Sequence, residues 1–184
     1  DWVIKTNTIQ SPSILDIGTG SGCIAISLAV NIRTAKVTAI DISAKALDIA
    51  RSNTLKNNVN VDFFKIDILV TTIEISNQPF DIIVSNPPYI REMEKSLMNA
   101  NVLEHEPHSA LFVSNADPLV FYRAIAQKAK KWLKNNGVIY FEINEALGNE
   151  MQQLFIQQGF CDIELKKDLN GKDRMIKATW NAKR

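Results

Sequence analysis

The chain alternates short stretches rich in β-branched and aromatic residues with longer stretches of helical periodicity. SILDI at 13 to 17, KVTAI at 36 to 40, VDFFKI at 61 to 66, FDIIV at 80 to 84 and VIYFEI at 138 to 143 read as strands. Between them, a small-residue helix is predicted from Cys23 to about Val30. A second follows the capping Ser43, with Ala46, Leu47, Ile49 and Ala50 on one face. Asp117-Pro118 predicts the start of a helix that runs to about Leu133 with Phe121, Ile125, Ala129 and Trp132 inward. Asn144 predicts the start of another, carrying Leu147, Met151, Leu154, Phe155 and Gln158 and stopped by Gly159. Residues 160 to 166 and 175 to 180 read as a closing antiparallel pair around Asn170-Gly171, since no helix separates them. The predicted class is α/β: a doubly wound, mostly parallel, seven-stranded Rossmann-like sheet with an antiparallel last strand.

Two stretches fall outside this alternation. Residues 73 to 78 are polar and irregular, and the segment from Arg91 to Ala116 is long for a connection within a compact domain, with a short helix expected over Glu92 to Asn99. His105-Glu106-Pro107-His108 has the residue types of a metal site, but its proline breaks the helical spacing that would bring the imidazoles together. No metal is expected there.

Length and composition add bounds. At 184 residues, with 46% hydrophobic and 22% charged residues, the chain reads as one domain spanning 1 to 184 with a substantial core. A formal charge of +1 exerts no global pull on nucleic acid or on an anionic membrane, and no apolar run approaches the roughly 18 residues of a membrane span. The first residue is Asp1, so a fragment or processed product is expected. Cys23 and Cys161 lack partners at ligand spacing and are expected as buried apolar residues of a reducing compartment, the cytoplasm.

The candidate chemistry sits at strand ends, where open α/β sheets bind ligands. Asp16 and the loop Gly18-Thr19-Gly20-Ser21-Gly22 lie between the first strand and its helix. A dinucleotide fingerprint would place its third glycine at Cys23, so a nicotinamide cofactor fits poorly. A carboxylate at Asp16 would pair with an ammonium group and repel a pyrophosphate. Asp41, ending the second strand, is placed to accept from both hydroxyls of a ribose, or to cap the next helix. Asp67 with Ile68, ending the third, offers an acceptor and an apolar contact suited to an adenine, or a solvated turn.

The fourth strand ends abruptly in Asn86-Pro87-Pro88-Tyr89, because prolines have no N–H for a ladder. Asn86 supplies a side-chain carbonyl and Pro87 a backbone carbonyl on a fixed φ, so the two could hold both hydrogens of one planar NH2 group while Tyr89 lies against the group that carries it. Acceptors better matched to the positive charge growing on that nitrogen would stabilise the transition state. A plain strand-ending turn would use the same residues.

In this order, Asp16, GTGSG, Asp41, Asp67 and NPPY resemble the class I S-adenosylmethionine-dependent methyltransferases. DIGTGSGCIAI, SNPPYI, HEPHSAL and the D-x-x-G-x-x-R element at Asp168, Gly171 and Arg174 narrow the resemblance, over nearly the whole chain, to the HemK/PrmC family of protein-(glutamine-N5) methyltransferases. The resemblance implies that Asp16 and Gly18 to Gly22 line the methionine part of S-adenosyl-L-methionine, Asp41 its ribose, and Asp67 and Ile68 its adenine. Family members commonly carry Trp where Ile68 stands, which implies weaker stacking here. Asn86, Pro87, Pro88 and Tyr89 would hold the glutamine of the Gly-Gly-Gln loop of peptide chain release factors. The family's amino-terminal helical docking domain is expected to be absent from this chain, and direct nucleic-acid binding is not expected at a formal charge of +1 with no obvious added nucleic-acid domain.

Three other readings use the same residues. An exocyclic amine of an RNA or DNA base is also a planar NH2 and could stack on Tyr89. A nicotinamide oxidoreductase would need the glycine missing at position 23, and a non-catalytic binding module could keep the fold without the reaction.

Overall fold

A computed structural model describes residues 1–70, 75, 78–97 and 111–182. Its centre is a seven-stranded sheet of β1 (Ser13–Ile17), β2 (Lys36–Asp41), β3 (Asp62–Lys65), β4 (Phe80–Ser85), β5 (Leu133–Glu142), β6 (Cys161–Lys167) and β7 (Asp173–Trp180). Across the sheet the order is β3-β2-β1-β4-β5-β7-β6. The first five are parallel, and β7 runs antiparallel between β5 and β6. The α/β, doubly wound reading is therefore what the chain adopts. Helices α1 (Trp2–Thr6), α2 (Cys23–Asn31), α3 (Ala44–Asn57), α4 (Val120–Trp132) and α5 (Gly148–Gln157) accompany it.

Central strands of a parallel sheet are covered on both faces, which is why β4 is buried at every position and β1 at all but Ser13. One core unites Leu15, Ile83, Ile139 and Phe141 with α4 and α5; the other unites Ile14, Val37, Ile82 and Val84 with α2. Tyr122, Phe141, Phe155 and Phe160 form a chain of ring contacts through the first, with centroids 5.1 to 5.7 Å apart.

Several boundaries differ from the sequence expectation, each for a local reason. Helix α4 begins at Val120 with Leu119 as its cap residue, because Asp117 is engaged by the Arg123 guanidinium at 2.5 and 2.6 Å instead of capping. Its buried stripe is Tyr122, Ile125, Ala126 and Ala129, so Phe121 and Trp132 flank the core. On α3 the stripe is Leu47, Ala50 and Thr54, and Ile49 points to solvent. Ser43 caps α3 as expected, accepting from the Ala46 N–H at 3.2 Å. Cys23 is exposed and Cys161 half-buried, so neither is the core residue expected. Residues 92 to 97 form a 3-10 helix, and Ile90–Arg91 pairs in parallel with Phe112–Val113. His105 to His108, most of 73 to 78, and the end of the helix expected over 92 to 99 lie outside the described residues.

Gly22 shows how tightly the first crossover is built. Its φ is +86°, and a Cβ there would lie 3.0 Å from Ile26 Cδ1 and 3.1 Å from Ala50 Cβ. Gly22→Ala is expected to destabilise the protein by about 1–3 kcal/mol, from the left-handed backbone plus overpacking, read as a lowered midpoint in denaturant unfolding.

Candidate active site

The site is assembled by strand register. Ile17 of β1 is paired with Ile40 of β2 on one side and with Ser85 of β4 on the other. Gly18, Asp41 and Asn86 are the residues at or just past those ends, so the sheet brings the glycine loop, the strand-ending acid and the Asn-Pro-Pro-Tyr turn to one edge. The Ser85 hydroxyl donates to the Ile17 carbonyl at 2.7 Å in the buried interior, which bolts the β1 and β4 ends together.

Asp16 lies beneath the loop and is wholly buried. Its Oδ2 accepts from the Thr19 hydroxyl at 2.6 Å and the Ala25 N–H at 3.1 Å, whereas Oδ1 is buried with no hydrogen-bond partner among the described residues. Burial pushes its carboxyl up to about 6, the two donors offset part of that, and the nearby Asp41 charge adds a small upward push. A buried carboxylate oxygen left without a donor is costly, so Asp16 is suited to a cationic partner. Above it, a Cβ at Gly18 or Gly20 would meet nothing within 4 Å, so the loop faces open space into which a ligand fits.

Asp41 has two structural duties. Its Oδ2 accepts from the Gly20 N–H and its Oδ1 from the Ser43 N–H, each at 2.8 Å, which ties the loop to the end of β2 and leaves lone pairs for a diol. The Gly18 and Thr19 N–H groups both donate to the Ile40 carbonyl, at 2.9 and 3.1 Å. Asp67 closes a turn by accepting from the Leu69 N–H at 2.9 Å, and Ile68 beside it is half-buried against the main core. The exposed Ser21 hydroxyl lies 3.3 Å from Cys23 Sγ.

Asn86 is exposed while Pro87 is buried, and among the described residues no hydrogen-bond partner occupies the Asn86 amide. Tyr89 is anchored: its hydroxyl donates to Glu142 Oε1 at 2.9 Å. Burial, then the Glu142 charge, push that phenol up to about 12, so it is a neutral donor at physiological pH. The Tyr122 hydroxyl donates to the Glu142 carbonyl at 3.0 Å, and Arg174 faces the same corner, held by Asp168 Oδ2 at 3.3 Å and Glu145 Oε2 at 3.5 Å. Asp168 also folds the β6–β7 turn by accepting from the Asn170 and Lys172 N–H groups at 2.8 and 3.1 Å. The D-x-x-G-x-x-R element thus braces the rim from the far side of β5.

Sequence reasoning missed Glu142, Asn144 and Glu94 around Tyr89, since nothing in local periodicity links positions about fifty residues apart. A polar residue at the end of an apolar strand, such as Glu142 after VIYF, is the one signal that was present. Among the described residues no group of three or more His, Cys, Asp or Glu could hold a metal, and no helix is long and apolar enough to cross a membrane.

A family model described as methyltransferase small domain matches residues 3–112. The chain is 52% identical over 184 residues to a release factor glutamine methyltransferase of Flavobacterium psychrophilum, covering 98% of this chain and 64% of that protein. It is 47% identical over 178 residues to the protein of the same name in Bacteroides thetaiotaomicron, covering 97% of this chain and 63% of that one. The chain therefore spans a little under two thirds of the length of these relatives. Among solved structures, a methyltransferase from Pyrococcus furiosus superposes with a TM-score of 0.71 at 20% identity, covering 98% of this chain and 81% of that one, a likeness of fold.

Proposed function

Since this chain belongs to the methyltransferase small domain family, we propose that it transfers a methyl group from S-adenosyl-L-methionine to the side-chain amide nitrogen (N5) of the glutamine in the Gly-Gly-Gln motif of peptide chain release factors. The observation that carries the reading is the common register of Ile17 with Ile40 and Ser85, which sets a cofactor-type loop beside an amide-gripping turn. The two relatives named release factor glutamine methyltransferase support the substrate class, and that substrate implies work in the cytoplasm. Residues 1 to 184 are read as the catalytic domain.

Asp16 Oδ1, buried and without a partner among the described residues, and the open face of Gly18 and Gly20 fit an amino-acid end bearing an ammonium group. Asp16 with Gly18 to Gly22 would hold the methionine part, Asp41 the ribose, and Asp67 and Ile68 the adenine. When bound, the cofactor would supply an electrophilic methyl group on a sulfonium and leave as a neutral thioether, one N–H proton of the methylated amide passing to water. Asn86 Oδ1 and the Pro87 carbonyl accept the two hydrogens of the substrate amide, which fixes the plane of a nitrogen that is a poor nucleophile because its lone pair is delocalised. As positive charge grows on that nitrogen, the same two oxygens match it better, so they contribute more in the transition state than in the ground state. Pro88 and Tyr89 set the wall on which the glutamine lies. The hydroxyl of Tyr89 is committed to Glu142, so Tyr89 orients and does not exchange protons. Positioning supplies much of the remaining rate.

Mass spectrometry of a release factor incubated with this chain and the cofactor tests the proposal, with transfer RNA and duplex DNA offered in parallel. One added methyl on the Gly-Gly-Gln glutamine is the expected product. Methylation of nucleic acid alone would replace the substrate with a base amine.

A further inference from the structure

The turn that grips the substrate needs its exit held as firmly as its entry. Ser85 secures the entry, and a single buried side chain secures the exit. Asn144, just past the end of β5, is only 6% exposed. Its Nδ2 donates one hydrogen to the Tyr89 carbonyl at 3.2 Å and the other to Glu94 Oε2 at 2.8 Å, while its Oδ1 accepts from the Ala146 N–H at 2.9 Å. All of its principal hydrogen-bonding capacity is therefore spent on position. Glu94 in turn folds the strap that follows Tyr89. Oε2 accepts from the Arg91 N–H at 2.8 Å and Oε1 from the Arg91 guanidinium at 2.9 Å. Arg91, with Asn144 assisting, holds the Glu94 carboxyl below its ordinary value, so it stays an acceptor at neutral pH.

We propose that Asn144 is a positioning residue for the Asn-Pro-Pro-Tyr turn, its one NH2 group pinning the Tyr89 carbonyl and, through Glu94, the 90–97 strap that walls the substrate side. The assignment rests on the substrate reading above for what the turn is aimed at, and on the contacts alone for the pin. Loss of the pin leaves Tyr89 tethered at its hydroxyl end only, so the backbone at Pro88 and Tyr89 gains freedom while the glycine loop, held by Asp41 and Ile40, does not. Asn144→Asp puts a second carboxylate against Glu94, takes the Asn144 donor from the Tyr89 carbonyl and leaves Glu94 Oε2 with the Arg91 N–H alone. Asn144→Leu removes the donor with little change of volume.

Hydrogen–deuterium exchange followed by mass spectrometry reads the pin directly. Both variants are expected to exchange faster over residues 86–97 while 13–25 stay as in the parent. With release factor as substrate, turnover should fall about tenfold and cofactor affinity stay within about twofold, the cost of misplacing a reacting group without touching its partner. Unchanged exchange at 86–97, faster exchange spread evenly over the sheet, or undiminished turnover with the strap released would each overturn the assignment. If the parent methylates no release factor, the substrate reading fails, and the exchange pattern still decides whether Asn144 holds the turn.

Discussion

Asn86→Ala is expected to abolish measurable methyl transfer to a release factor, by at least about a hundredfold in single-turnover rate, while cofactor affinity measured by calorimetry stays within a few fold. The size follows from losing one of two preorganised groups facing developing charge, a loss typically of about 10²–10³ in rate. The selectivity follows from the structure. The Asn86 side chain is exposed and unpartnered among the described residues, so its removal opens no cavity and strands no buried group. The backbone on which it stands is secured by the Ser85 hydroxyl, which the substitution leaves in place. Equal loss of binding and turnover would take Asn86 out of the substrate-gripping role.

Asp16→Asn should trade binding for stability. Burial raises the Asp16 carboxyl to about 6 from an ordinary 3.8, so between those values the folded chain holds more protons than the unfolded one. The Asp16 contribution to the stability of the free protein must then fall as pH rises from about 4 to about 6, and its full cost, roughly 3 kcal/mol, persists above that window. The amide removes the charge but leaves its NH2 where Oδ1 now lies without a partner, which returns roughly 1–2 kcal/mol of the gain. The variant should unfold at higher denaturant than the parent at pH about 7 to 8, with a net gain on the order of 1–2 kcal/mol, and the difference should shrink as pH is lowered below about 6. Cofactor affinity should drop at least tenfold, about 1.4 kcal/mol, since an ammonium group loses its counter-charge. A variant that binds cofactor as tightly as the parent would remove Asp16 from the ammonium site.

These two residues illustrate what the sequence made legible. Asp16 and Asn86 stand at the ends of β1 and β4, where an apolar run gives way to glycines or to prolines, and such transitions are local. The antiparallel β7 follows from the lack of a helix between the last two strands, whereas the strand order is set by long-range packing. Asn144 is the opposite case. An asparagine after an apolar strand reads as a helix cap, and its oxygen does accept from Ala146 N–H, but that bond closes a turn and α5 begins only at Gly148. Its amide meets Tyr89 and Glu94, fifty residues and more away in sequence, a pairing that exists only once β4 and β5 are side by side. On α4, Ile125 and Ala129 are buried as expected, while Tyr122 and Ala126 take the places expected of Phe121 and Trp132. The short α1 was not foreseen; it is placed by the Trp2 ring against Tyr140 and the Thr6 hydroxyl 2.8 Å from the Tyr140 hydroxyl.

The bolt between Ser85 and Ile17 has a consequence for how such a scaffold diversifies. Neighbouring strands in a sheet lie about 4.8 Å apart whatever their side chains, so the span from donor loop to acceptor turn is inherited from the ladder itself. Whatever follows Tyr89 could be exchanged for another recognition surface without recalibrating the reaction's reach.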